Sequence, residues 1–136
     1  MITFRELLSG NLISDVPIAH QHNLEDLLLA VNKLRDEWAK PLIVTSGYRS
    51  MQQHLRIYSA KGITDQSKIP MQSKHLVGLA VDLADPNGEL YAWAEANEDK
   101  LIEFGLWCER GTQGWLHCQC VPYGSYQEGK SRFFNP

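Results

Sequence analysis

The stretch Ser73-Lys74-His75-Leu76-Val77-Gly78-Leu79-Ala80-Val81-Asp82-Leu83-Ala84 decides how this chain is read. Taken as a strand over 79–84, it points Leu79, Val81 and Leu83 to one side and Ala80, Asp82 and Ala84 to the other. The first side is core. The second is small apart from one carboxylate, whereas a face that served only solubility would carry several polar groups. Gly78 clears room for a close approach of backbone. Two readings fit the segment alone. Either His75 and Asp82 are ligands of a metal, or Asp82 is a buried acceptor of backbone hydrogen bonds and His75 an ordinary loop residue. A second histidine elsewhere has to decide between them.

Working upstream, Leu42-Ile43-Val44-Thr45 reads as a short buried strand (42–45) after the helix stop Pro41, and it runs into the turn Ser46-Gly47-Tyr48-Arg49-Ser50. Ser50-Met51-Gln52-Gln53 has capping-box spacing and opens a helix over 51–61, with Gly62 as its stop. Arg49 is thereby held between two rigid elements, where its planar fork of donors can grip a carboxylate. Further back, Asn23 is expected to cap a helix in which Leu24, Leu27, Leu28, Val31, Leu34 and Trp38 recur at helical spacing. Thr3 and Glu6 form another capping box, for a short lead-in helix ending at Gly10. His20 and His22 lack a carboxylate or cysteine at ligand spacing and read as loop histidines.

Downstream, Asp85-Pro86-Asn87-Gly88 is a turn, followed by a helix with Leu90, Tyr91, Trp93 and Ala94 and another with Leu101, Ile102 and Phe104 that ends at Gly105. Residues 106–109 and 115–121 read as a hairpin around the loop 110–114. In its second strand Trp115, His117, Gln119 and Val121 share one face, and Leu116, Cys118 and Cys120 share the other. That alternation speaks against a structural zinc site made of His117, Cys118 and Cys120. Residues 63–73 form a polar loop, and the tail from Pro122 reads as irregular, pinned by Phe133 and Phe134.

The predicted fold is therefore α+β, one domain over 1–136, in which helices cover one face of a small, mainly antiparallel sheet. The 43% hydrophobic and 21% charged shares are those of a soluble globular chain, and no apolar run approaches the ~20 residues of a membrane helix. With net charge −3 and dispersed basic residues, nucleic acid is not an expected partner. Three cysteines without paired spacing suit a reducing compartment, and the N-terminus lacks a signal-peptide pattern, so synthesis in the cytoplasm is expected.

His75, Asp82 and His117 supply two imidazoles and one carboxylate on predicted strands or strand edges of one sheet. Three protein ligands with a fourth position open to water is the arrangement of catalytic zinc. Such a site needs a proton acceptor, and Glu109 lies across the hairpin from His117.

These residues resemble a known family. Ser73-x-His75-x-x-Gly78-x-Ala80-x-Asp82, with Trp115-x-His117 downstream and Ser46-Gly47-Tyr48-Arg49-Ser50 upstream, is similar to the zinc-dependent M15 peptidases. That group includes D-alanyl-D-alanine peptidases and phage endolysins and is related in fold to the Hedgehog signalling domain. The resemblance covers a core of about 40–124 and implies zinc held by His75, Asp82 and His117. It implies that Arg49 binds a substrate carboxylate or steadies the tetrahedral intermediate, and that Ser73 contacts substrate. It also implies hydrolysis of peptide bonds in peptidoglycan stem peptides, as a D-Ala-D-Ala carboxypeptidase or an L-Ala-D-Glu type endopeptidase. Several members carry the catalytic acid three residues before the last histidine, where this chain has Gly114. Glu109 as the base is similar to the phage and Hedgehog-like branches. The small size without wall-binding repeats resembles a phage or prophage lytic enzyme, monomeric and not inserted in a membrane, that reaches the wall after release. The alternatives are a non-catalytic zinc-bearing binding module or virion component of the same fold, and a metal-free structural domain.

Overall fold

The computed structural model describes residues 1–124 and 131–136. Its five-stranded sheet has the order β1 (Val44–Ser46), β2 (Ala80–Asp85), β4 (Gly114–Gln119), β3 (Trp107–Glu109), β5 (Phe133–Phe134), antiparallel except where β5 runs parallel to β3. The helices are α1 (Phe4–Leu7), α2 (Ile18–Trp38), α3 (Met51–Ala60), α4 (Glu89–Ala96) and α5 (Glu98–Phe104). The α+β reading with a mainly antiparallel sheet holds.

The core forms where the apolar face of the sheet meets the helices. Val81 and Leu83 of β2, Leu116 and Cys118 of β4 and Cys108 of β3 pack with Leu24, Leu27, Val31 and Leu34 of α2 and with Leu90, Leu101 and Phe104. Leu24, Leu27, Val31 and Leu34 are fully buried, each contributing about 1.5–3 kcal/mol of transfer free energy. α3 adds nothing to this cluster, and its buried residue is His54.

Three expectations need correction. α2 begins at Ile18, not at Asn23: Pro17 is its N-cap, and the Pro17 carbonyl accepts the first bond of the helix from Gln21 N–H at 3.0 Å. Asn23 instead donates from Nδ2 to the Val77 carbonyl at 2.9 Å, tying α2 to the turn that precedes β2. β1 covers 44–46 rather than 42–45 and is an edge strand, with Ile43 exposed. In the tail, Phe133 and Phe134 form β5, held by Cys108 N–H to Arg132 O and Arg110 N–H to Phe134 O, each 2.8 Å. The rest of the tail expectation, over 125–130, lies outside the described residues. β2 and β4 are each shifted by a residue or two from the expected 79–84 and 115–121, and β3 from 106–109, which leaves every face assignment intact.

Local chemistry accounts for the ends of the elements that carry the site. Both capping boxes, Thr3 with Glu6 and Ser50 with Gln53, are present. Gly78 adopts φ +80°, and a Cβ there would lie 2.8 Å from the His20 carbonyl oxygen, so only glycine lets the turn before β2 close against α2. Asp85 accepts from the N–H groups of Leu90 and Tyr91, each at 2.9 Å, and so caps α4 at the end of β2.

Candidate metal centre

Asp82 and His117 are directly opposed residues of the β2–β4 pair, so their side chains leave the same face of the sheet. His75 is brought to them from a short 3₁₀ turn, Lys74–Val77, rather than from the sheet itself. Ser73 Oγ accepts from His75 N–H at 3.3 Å and caps that turn. Donor atoms of the three side chains all lie within 4.8 Å of one another. His75 Nε2 is 3.2 Å and His117 Nδ1 2.9 Å from the same oxygen, Asp82 Oδ1.

The outer nitrogen of each ring is committed elsewhere. His75 Nδ1 donates to the Gly47 carbonyl at 2.8 Å, and His117 Nε2 donates to Gln119 Oε1 at 2.9 Å. The amide of Gln119 is itself oriented, since its Nε2 donates to Val121 O at 2.9 Å. With those tautomers, both inner nitrogens turn lone pairs towards a carboxylate oxygen. Three acceptors at such distances repel unless a cation sits among them. Ligands about 2.0–2.1 Å from a tetrahedral zinc lie roughly 3.3 Å apart, so the donor set and its spacing fit that ion. Outer partners that fix imidazole tautomers are the usual companions of metal-ligating histidines.

The electrostatics agree. Burial pushes the Asp82 carboxyl up, but its contacts with His117 and His75, which need a proton on the inner nitrogen when no cation lies between them, outweigh it and hold the group well below the usual carboxylate range. Burial pushes His117 down, and its hydrogen bond and charge interaction with Asp82 reverse that, leaving it raised. A proton on His117 thus takes the cation's part. His75 is lowered, chiefly by burial.

Arg49 stands beside this cluster. Its N–H donates to His75 O at 3.0 Å, Nε donates to Ser46 Oγ at 3.0 Å, and Nη2 lies 3.5 Å from Asp82 Oδ2. His54, fully buried, faces Arg49 Nη1 with Nδ1 at 3.5 Å and donates from Nε2 to Pro70 O at 2.9 Å. Glu109 is half-buried, and continuing the Trp107–Gln119 and Cys108–Cys118 register places it opposite His117 on the same face. Phe134 packs edge-on to His117 with ring centres 6.1 Å apart.

The structure thus brings His75, Asp82, His117 and Arg49 together, with Glu109 on the adjoining strand. His20 and His22, expected in a loop, lie in α2, where His22 meets Glu25 on the surface, and among the described residues they join no group of three candidate ligands. Cys108 and Cys118 turn into the core, their sulfurs 3.8 Å apart, while Cys120 is half-buried at its edge. Gln119, His54 and the Gly47 carbonyl were missed as partners of the site. Alternation from His117 would have pointed to Gln119, whereas nothing local marks the other two.

A family model described as Peptidase M15 matches residues 2–119. No curated protein and no solved structure matches the sequence. That match runs through every residue of the centre, from Arg49 to Gln119, and the chain belongs to the Peptidase M15 family, a group of peptidases that are generally zinc-dependent.

Proposed function

We propose that this chain is a zinc-dependent peptidase that cuts a peptide bond in bacterial peptidoglycan stem peptides. It would act as a D-Ala-D-Ala carboxypeptidase or an L-Ala-D-Glu type endopeptidase. The observation that carries the metal part is the arrangement of His75 and His117, whose outer nitrogens are bound by Gly47 O and Gln119 Oε1 while their inner nitrogens converge on Asp82.

His75, Asp82 and His117 would hold the ion. Zinc bound there supplies a Lewis acid and lowers the pKa of water towards about 7. The remaining work belongs to the chain. Arg49, half-enclosed between Ser46, His54 and Asp82, presents donors that bind a substrate carboxylate or stabilise the oxyanion of the tetrahedral intermediate. Glu109, on the strand beside His117, takes the proton of the attacking water and passes it to the leaving amine. Ser73 caps the turn that aims His75, and its contact with substrate belongs to the same proposal.

A phage or prophage lytic role, with synthesis in the cytoplasm and action on the wall after release, fits this chemistry. Among the described residues no helix is long and apolar enough to cross a membrane. The test is to load the protein with zinc, incubate it with purified stem peptides and read product masses. Loss of D-alanine identifies the carboxypeptidase, and internal fragments identify the endopeptidase. Intact stems with zinc retained would instead make the chain a zinc-bearing binding module.

A further inference from the structure

His54 is the one buried residue of α3, and its ring is fully enclosed. The helix adds nothing to the apolar core, so filling that core is not what this side chain does. An enclosed imidazole costs free energy unless both ring nitrogens find partners. Here each has one, since Nε2 is 2.9 Å from the Pro70 carbonyl oxygen and Nδ1 is 3.5 Å from Arg49 Nη1. A carbonyl only accepts and a guanidinium only donates. A single tautomer therefore serves both, with the proton on Nε2 and a lone pair on Nδ1. Burial lowers the pKa of the ring more than the Pro70 hydrogen bond raises it, which keeps that neutral form.

Arg49 is thereby met on three sides, by Ser46 Oγ at Nε, by Asp82 Oδ2 at Nη2 and by His54 at Nη1. A guanidinium beside a carboxylate is drawn to pair with it through both arms of its fork. Such closure would commit the donors of Arg49 to Asp82, a candidate zinc ligand, and turn them away from substrate. The lone pair of His54 holds one arm back. On its other edge the same ring holds Pro70, which lies three residues before Ser73, whose hydroxyl caps the turn that carries His75. One imidazole thus links the arginine to the loop that leads into the metal-bearing turn.

We propose that His54 is a positioning residue, which keeps the Arg49 fork open towards substrate through Nδ1 while its Nε2–H pins the 63–73 loop. The task of Arg49 rests on the peptidase reading, but the contact does not.

Two variants separate the ring's nitrogens. The amide oxygen of asparagine can take the place of Nδ1, and the amide N–H of glutamine that of Nε2. His54→Asn therefore keeps the acceptor for Arg49, and His54→Gln keeps the donor to Pro70. Nitrogen NMR of the isotope-labelled, zinc-loaded protein reads both contacts without any substrate. The wild type at neutral pH should show a bare Nδ1, a protonated Nε2 and Arg49 Nη signals split by hindered rotation. His54→Gln should merge those signals, whereas His54→Asn should keep them split and shift the backbone amides around Pro70 instead. With stem peptides, His54→Gln should lose roughly tenfold in kcat/KM, the size of one hydrogen bond to a charged group, and His54→Asn should lose less. The proposal is overturned by a proton on Nδ1 in the wild type, by Arg49 signals that His54→Gln leaves unmoved, or by equal losses in the two variants. If the wild type cleaves no stem peptide, the peptidase reading falls by itself, and the Arg49 signals alone decide the role of His54.

Discussion

Replacing Gln119 with leucine removes the acceptor that holds His117 Nε2–H, a contact of 2.9 Å at a residue only 3% exposed. Two consequences follow, on different links of the chain from structure to function. The ring N–H is left unpaired in a buried place, which costs about 1–3 kcal/mol of folding stability. The imidazole also loses the partner that fixes its tautomer, so Nδ1 no longer keeps its lone pair turned towards Asp82. Loss of such an outer partner lowers metal affinity by about 10–100-fold, or roughly 1.4–2.7 kcal/mol. Competition with a chromophoric zinc chelator reads the affinity, and urea unfolding of the metal-free protein reads the stability. Gln119→Glu separates the two effects: a carboxylate accepts the same hydrogen bond and raises the basicity of the ring, while losing the donor to Val121 O lowers stability. That variant should bind zinc at least as tightly as the wild type. Unchanged zinc affinity in Gln119→Leu would refute the claim that Gln119 sets the tautomer of a ligand.

Asp82→Ala should lose most bound zinc, since the carboxylate is the only negative charge among the three ligands, and elemental analysis checks this. Glu109→Gln should keep zinc and fold while hydrolysis of stem peptides falls by about 10²–10⁴-fold; a wild-type rate would mean that another residue is the base. Zinc affinity should fall as pH drops through the raised pKa of His117, where a proton held against Asp82 competes with the ion, and titrations across pH 5–8 follow the loss. Gly78→Ala should cost about 2–4 kcal/mol in denaturant unfolding, from the left-handed backbone and the Cβ pressed against His20 O.

How far the sequence reached depends on whether a feature was local. Period-2 alternation through 79–84 and 115–121 was enough to place Asp82 and His117 on the polar faces of their strands and the cysteines on the apolar ones, because successive Cβ atoms point to opposite sides. Capping boxes at Thr3 and Ser50 were readable for the same reason, each being complete within four residues. Asn23 misled because its side chain reaches a carbonyl 54 residues away instead of capping its own helix. β5 is two residues long, too short for any periodic signal, and exists only because β3 offers it an edge. The register that sets Asp82 against His117, the Gly47 carbonyl that holds His75, and the His54 that meets Arg49 were likewise decided by packing. Alternation tells which face a side chain takes, but the partner on that face comes from a distant segment, and only the closed tertiary structure brings the two together.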